Sequence, residues 1–492
     1  MKSHLKKGCL SGILVISIAF MLCGCNAQKG KLKIFNKHYN EGSFEKCNTF
    51  LEKQFHERKN PGGEDLLWAL QAGSVKRLQK DTEASTKYFD QAEEAMKYYD
   101  LNQSKILDGI GATVVNDNVV PYLGQQYDGI MLNTYKGLNF ISKNDMEMAR
   151  VEFNRALDRQ RRAKEKFNKE ISKLRKNVDA KTAEKNGGTV KQSVENPEIN
   201  KILADKYPDL SAFEVYPDFI NPFTTYMSGL FFNLDGDLNK GVDLIKESYG
   251  MVPKNKYICK DLAETELALS NNKNIEGVCW VIFENGLCPV KDIWRVDLPV
   301  FLVTNKVKYV GIALPKLSYR DLAYSNLIVE SGEQKYTTEI VADMDRVVQT
   351  EFKQQYPAIV SRALISATLK AAAQYAAQQQ NSSAGNWASI ITAAYSFATT
   401  TADIRLWTAL PKDFQIARFD IPENRKIILN VPGNELVTPL SDECGEMEQS
   451  TEEVVAIENF PLEIELGNCK NAIVYVKVIK AGVPPVYNVT LF

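Results

Sequence analysis

Histidine is scarce in this chain of 492 residues, which contains three. His4 lies in the apolar N-terminal segment, and His38 and His56 lie in the first helical stretch. A Ser-His-Asp or Cys-His arrangement would have to reach across the chain to find one of them. The second half has no histidine and only isolated cysteines, which excludes a conventional zinc site there. The sequence therefore predicts no catalytic residues and no metal site.

Phosphate-binding glycine motifs are also missing. The chain contains neither GxxxxGK[ST] nor GxGxxG, so a nucleotide site is not expected. An excess of positive charge is missing too, because 60 basic residues face 61 acidic ones. We therefore predict no cofactor, no nucleic-acid partner and no enzymatic activity.

The first 25 residues have the pattern of a secretion signal. Lys2, Lys6 and Lys7 precede an apolar run, 13–22, which is short for a membrane-spanning helix. The run ends in Leu-Cys-Gly-Cys, which resembles the lipobox of bacterial lipoproteins and makes Cys25 the predicted site of acylation. An ordinary signal with an incidental cysteine is the alternative. Asn26 is not the aspartate associated with inner-membrane retention, so we expect a palmitate-type lipid anchor in the outer membrane, facing the periplasm.

The region 25–270 is predicted to consist of helical hairpins. Tyr127–Gln160 reads as two amphipathic helices with a break at Asn144-Asp145. Its small and large residues have the spacing of a tetratricopeptide repeat (TPR), which it resembles. Four copies share this spacing: Gly42, Cys47, Leu51, Gln54; Gly73, Lys80, Ser85, Phe89, Ala92; Gly137, Asn144, Ala149, Phe153, Ala156; and Gly229, Gly236, Gly241, Ile245, Ser248, Pro253. Such hairpins bury their apolar faces by stacking, so a TPR-like α-solenoid is expected.

One insertion among the hairpins is strongly basic. Arg159–Lys185 contains eleven Lys or Arg and four Asp or Glu, and is expected to prolong the second helix of the third copy. A solvated helix face is the favoured interpretation. Contact with anionic lipid or wall polymer is the alternative.

The region 275–492 is predicted to be a mixed α+β domain. Strands are expected at 278–283, 298–303, 307–314, 326–330, 335–341, 414–419, 426–431, 454–458, 462–465 and 472–479. A helix is expected at 343–380, with Pro357 as a break or kink. No charged residue occurs from Ala371 to Ala402, and glutamines there are too polar for a membrane span. Two packed small-residue helices are favoured, and a membrane or partner contact is the alternative. Together with the hairpins, the fold class is α+β.

The side chains that invite a chemical role are few. Glu284, beside an Asn-Gly turn, is the best candidate for a carboxylate acid, although a polar turn residue is the favoured interpretation. Asp403, Arg405 and Trp407 are expected to fasten the Ala-rich helices to the next strand, with Trp407 buried and Arg405 paired. Six cysteines follow Cys25 and leave every pairing open. Cys47 is expected to be a buried free thiol.

Several segments together resemble an uncharacterised family of bacterial lipoproteins with TPR-like N-terminal halves. They are 115–118 followed by Tyr122, the hairpin Tyr127–Gln160, FENGLCPVK at 283–291, Leu298-Pro299, GIALP at 311–315 and ADIRLWTALP at 402–411. The resemblance implies the architecture and no established activity. Relatives accompany activators of cell-wall synthases, which implies a role in envelope assembly.

These observations predict a lipid-anchored envelope scaffold that binds protein or peptide partners. Its stacked hairpins would present a concave surface to an extended peptide or a helix. Asn133, Lys136 and Asn139, polar residues on a first helix, are the predicted partner-binding residues. The alternative is a cell-wall polysaccharide enzyme, or a regulator of cell-wall synthesis, that uses carboxylates of the second half. The oligomeric state is not predicted.

Overall fold

The computed structural model describes residues 30–56, 63–112, 121–182, 187–211, 216, 219–303, 306–378, 402–430 and 461–492. Within these ranges the protein is mixed α+β, which confirms the predicted fold class. The signal segment with Cys25, residues 115–118, the part of the uncharged stretch after Gln378, and the predicted strand 454–458 lie outside the described residues.

The first part of the described chain is helical. Its α-helices are α1 (30–40), α2 (Phe44–His56), α3 (Gly63–Leu78), α4 (Thr82–Ala112), α5 (Gln126–Ser142), α6 (Met146–Thr182), α7 (Gly187–Val194), α8 (Pro197–Lys206), α9 (Pro222–Leu234), α10 (Leu238–Met251) and α11 (Lys256–Asn271). Helix α6 extends to Thr182, so the basic stretch prolongs the second helix of the third hairpin, as predicted. None of the helices in the described ranges is long and apolar enough to span a membrane.

Three helix pairs, α3/α4, α5/α6 and α9/α10, are joined by the same kind of turn. One residue takes the left-handed backbone conformation: Lys80 (φ 62°), Asn144 (φ 59°) or Gly236 (φ 82°). An aspartate follows each time, and its carboxylate accepts a hydrogen bond from the backbone N–H three residues later. Each aspartate thereby satisfies one of the free donors at the start of the second helix.

The two helices of each hairpin approach closely at a glycine. A Cβ atom on Gly137 would lie 2.9 Å from the ring of Phe153, and one on Gly229 would lie 2.7 Å from Ile245. A Cβ on Gly73 would overlap the ring of Phe89. The predicted pairing of a small residue with a large one is therefore the packing contact within these three hairpins.

The second part of the described chain holds the strands. They are β1 (Val278–Asn285), β2 (Val290–Val303), β3 (Lys306–Ser318), β4 (Ile328–Ser331), β5 (Gln334–Thr337), β6 (Glu339–Asp343), β7 (Asp413–Asp420), β8 (Lys426–Asn430), β9 (Leu462–Glu465), β10 (Asn471–Val478) and β11 (Val486–Leu491), with α12 (Met344–Gln378) between β6 and β7. Three sheets have the orders β11-β10-β1-β7-β6, β2-β3 and β5-β4-β8-β9. Only β1 and β10 pair in parallel among these strands.

Strand β1 is buried along its whole length, and both of its edges are paired, with β10 and with β7. On one side, Phe223 of α9 stacks on Phe414 of β7, with 3.6 Å between the ring centroids. Buried apolar side chains of the helical and strand-rich parts form one continuous cluster. The first helices of the hairpins therefore pack against the second half of the same chain.

The structure corrects three local predictions. Glu284 and Asn285 belong to β1 rather than to a turn, which starts at Gly286 (φ 59°). Of the break or kink predicted at Pro357, the break does not occur, because helix α12 continues past this proline. Strand β11 was not predicted; none of its six residues is buried, and its burial pattern does not alternate between two faces. Cys47 is a buried free thiol, as predicted.

Candidate functional site

The three residues predicted to bind a partner are buried within the protein. The ammonium of Lys136 lies 2.8 Å from a carboxylate oxygen of Asp90, 3.0 Å from Glu93 and 2.9 Å from Glu152. Its side chain is 3% exposed. Burial alone would raise the pKa of Glu93, but Lys136 and Arg159 outweigh it and lower that pKa to about 2. Lys136 is therefore the centre of an ion-pair cluster between α4, α5 and α6.

Asn133 and Asn139 belong to the same interior. Asn133 donates to Glu152 at 2.6 Å and accepts from Arg159 at 2.7 Å. Asn139 donates to Ser85 at 3.0 Å and accepts from Arg77. Both are fully buried. The prediction that these side chains contact a partner is wrong, because neighbouring elements enclose α5 and its polar side chains point into the protein.

Glu284 is also buried rather than exposed at the tip of a turn. Its carboxylate lies 2.7 Å from the ammonium of Lys477, which is its neighbour in the parallel β1/β10 register, and accepts a hydrogen bond from Tyr475. Burial alone would raise the pKa of Glu284, but Lys477 and Arg77 hold it below its ordinary value. Glu284 is thus an ionised, paired core residue, which is a poor general acid.

The inner side of the hairpins is filled by the chain itself. Residues 402–407, which have no regular secondary structure, lead into a turn and then into β7. Trp407 is fully buried, lies 5.8 Å from the rings of Phe89 and Tyr135, and donates to the hydroxyl of Ser74 at 2.9 Å. Gln71 accepts from the backbone N–H of Ala409 at 3.2 Å. This segment occupies the face where an extended partner peptide was expected.

Two further predictions about that segment are confirmed. Trp407 is buried, and Arg405 pairs with Asp403 through two contacts of 2.8 Å. Arg405 is 6% exposed and Asp403 is 34% exposed, so the guanidinium is buried and the carboxylate is partly accessible. The predicted fastening of the Ala-rich helices to the next strand involves positions after Gln378, which lie outside the described residues.

A cleft of about 720 Å³ opens between α4, α6 and α12. Residues 121–126 border it, and Lys291 at the start of β2 lines it together with Asp403. Its size is that of an ordinary ligand pocket. We call it the α6 cleft.

One wall of the α6 cleft carries a line of cationic side chains. Its members are Arg155, Arg159, Arg162, Lys166 and Lys169. Their separations of four, three, four and three residues place them on one face of α6, over a length of about 21 Å. We call this line the α6 stripe. Sequence analysis recognised the basic composition of this stretch but not its common face.

Carboxylates pair with four of the five cations of the α6 stripe, and Glu165 and Glu170 also line the cleft. Arg155 lies 2.8 Å from Glu152, Arg159 lies 3.2 Å from Glu93 and Lys166 lies 2.7 Å from Asp100. Arg162 pairs with Asp158. Lys169 has no ion pair within the residues that the structure describes. Lys169 is therefore the cation of the stripe that is most available to a ligand in the cleft.

Lys291 is the most unusual side chain of the cleft. It is 9% exposed, and no carboxylate lies within ion-pair distance of its ammonium in the described ranges. Its nearest described ring is Phe352, at 5.6 Å from the ammonium to the centroid. Burial lowers the pKa of Lys291, although Asp403, Glu351 and Asp128 oppose this from a longer distance. An anion bound in the cleft would supply the counter-ion that this ammonium lacks at close range.

Two buried acids hold the border of the cleft in place from behind. Asp128 accepts hydrogen bonds from the Tyr122 hydroxyl at 2.6 Å and from the Gln125 backbone at 2.8 Å. Glu351 accepts from the backbone N–H of Gln126, the first residue of α5. Burial raises the pKa of Asp128 to about 6 and that of Glu351 to about 8. Neither side chain lines the cleft, so they position residues 121–126 rather than face a ligand.

Metal ligands do not converge in the described ranges, where no group of three or more His, Cys, Asp or Glu side chains could hold an ion. Comparison with protein-family models, with curated protein sequences and with solved structures gave no match.

Proposed function

We propose that this protein is a lipid-anchored scaffold of the bacterial envelope that binds a protein or peptide partner in the α6 cleft, without catalysis. The anchor would be an acylated Cys25, and the location the periplasmic face of the outer membrane. The helical part would be a TPR-like stack whose copies share a turn and a glycine contact. Its inner face would pack against the second half of the same chain, and its long helix α6 would form the wall of the cleft that contacts the ligand.

The observation that carries the proposal is the contrast between two surfaces. The inner face of the hairpins is filled by Trp407 and its neighbours, whereas the α6 cleft is open, has ligand size and holds a buried ammonium without a close counter-ion. Open clefts with a few convergent polar groups are the usual position of binding sites. The alternative of a wall-cleaving enzyme has less support, because Glu284 is buried and paired. A regulator of cell-wall synthesis remains compatible with binding.

The anchor is tested by replacing Cys25 with alanine. We expect the variant to move from the membrane fraction to the soluble fraction, because a single acylated cysteine would be its only attachment. The measurement is cell fractionation followed by immunoblotting. Continued sedimentation of a well-folded Cys25→Ala protein with membranes would refute the anchor.

The binding site is tested by filling the cleft. Ala358 of α12 lines the α6 cleft and is partly exposed, so Ala358→Trp should occupy ligand space. Ala204→Trp, on the exposed side of α8, is the matched control. We expect affinity purification from crosslinked cells to lose its partners with Ala358→Trp and to keep them with Ala204→Trp. Equal recovery with both variants would contradict the proposed site.

A further inference from the structure

We propose that the α6 cleft recognises an acidic, extended peptide, with Lys291 binding one carboxylate deep in the cleft and the α6 stripe binding further carboxylates along its wall. This inference rests on the proposed binding function and adds the chemical class of the ligand.

Lys291 lines the cleft as a buried ammonium with no carboxylate at ion-pair distance in the described ranges. An ammonium that is removed from water and has no counter-ion at close range costs free energy, and proteins normally pair such groups. Here the ammonium lines a cleft, so a ligand can reach it. A carboxylate is the peptide group that would satisfy both its charge and its hydrogen-bond donors.

The spacing of the cations in the α6 stripe is close to that of side chains on one side of an extended peptide. Successive cations are three or four residues apart on a helix, which is a rise of about 5 Å on average. In an extended peptide, alternate side chains lie on the same side and are about 6.7 Å apart. Arginine and lysine side chains are long enough to span the difference. Acidic residues at every second position therefore match the stripe over about six residues of peptide.

The apolar part of the cleft lining favours a peptide over an acidic glycan or a polyphosphate. Apolar side chains, among them Met96, Phe167, Ile171 and Ile359, line the same cleft as the cations. A peptide that alternates acidic and apolar residues could bury its apolar side chains against them. A polyphosphate has no apolar group to place there.

The test uses the full chain in neutral detergent and fluorescence anisotropy of a labelled, eight-residue peptide of alternating glutamate and leucine. We expect this peptide to bind, and the same peptide with glutamine or lysine in place of glutamate to bind at least about tenfold more weakly, as for loss of charge-assisted contacts. Equal binding of the glutamine peptide, or preferential binding of polyphosphate over the acidic peptide, would overturn the inference.

Variants assign the contacts. Lys291→Met should weaken binding of the acidic peptide about tenfold or more, because the carboxylate loses its cation. It should not lower the melting temperature, because it removes an ammonium that is unfavourable to bury. The double variant Arg162→Gln with Lys169→Gln should weaken it as well. The matched control, Arg161→Gln with Lys164→Gln, removes two charges from α6 outside the cleft lining and should change affinity less than twofold. If both double variants behave alike, the stripe is not the site.

Folding failure and failure of the proposal are separable. Should Lys291→Met not fold, the two double variants still decide whether the α6 stripe binds the acidic peptide. If the acidic peptide does not bind but Ala358→Trp still abolishes partner recovery in cells, the ligand class is wrong and the binding function stands. If neither effect is seen, both proposals fall.

Discussion

The glycine contact between the helices of each hairpin leads to a sharp prediction for Gly137→Ala. In an exposed helix this substitution is favourable by about 1 kcal/mol, because alanine has the higher helix propensity. At Gly137, however, the new Cβ would lie 2.9 Å from two ring atoms of Phe153, which is closer than real Cβ contacts. Phe153 is fully buried and stacks on Phe231 with 5.0 Å between centroids, so the ring cannot move freely. Overpacking of this kind costs about 1 to 3 kcal/mol.

The matched control is Gly250→Ala in α10, where a Cβ would have nothing within 4 Å. We expect Gly137→Ala to lower the free energy of unfolding and Gly250→Ala to raise it by about 0.5 to 1 kcal/mol. Urea denaturation followed by circular dichroism measures both. If the two alanines shift the midpoint in the same direction, the close approach of α5 and α6 is not what stabilises the hairpin.

The buried charges give two further predictions. Lys136→Met should destabilise the protein by about 3 to 5 kcal/mol, because Glu93 and Glu152 stay buried but lose their shared cation. Thermal melts at neutral pH measure this change. A loss of less than about 1 kcal/mol would contradict the ion-pair cluster. Glu351→Gln should match the wild type near pH 4 but be more stable near pH 9. Between the ordinary pKa of 4.5 and the raised value of about 8, the native state binds a proton that the unfolded state has lost, so wild-type stability falls as pH rises through this window. The gain is on the order of a few kcal/mol, and parallel pH profiles of the two proteins would refute the raised pKa.

Much of the architecture could be predicted from local sequence patterns. Strands were expected at 414–419 and 472–479, and β7 and β10 lie there. The aspartate after Lys80, Asn144 and Gly236 caps a helix in the structure, and capping depends on neighbouring residues alone. The glycine and phenylalanine spacing in the third hairpin corresponds to a real contact. These features need no information from distant parts of the chain.

The site could not be predicted in the same way, because its parts are distant in sequence. The orientation of Lys136 depends on acids from both α4 and α6, and Glu284 pairs with Lys477 through a parallel register that no short pattern contains. The α6 cleft forms only when α4, α6, α12 and the start of β2 meet. The one signal available in the sequence was the spacing of the cations from Arg155 to Lys169 on a single helix face.

The central claim is that partners bind in the α6 cleft and not on the inner face of the hairpins. Site-specific photocrosslinking in living cells tests it most directly, with the crosslinking residue placed at Arg162 within the cleft or at Arg161, which does not line it. The account predicts a discrete adduct from position 162 that disappears in the Ala358→Trp background, and none from position 161. Adducts of equal yield from both positions, or adducts that survive Ala358→Trp, would contradict it.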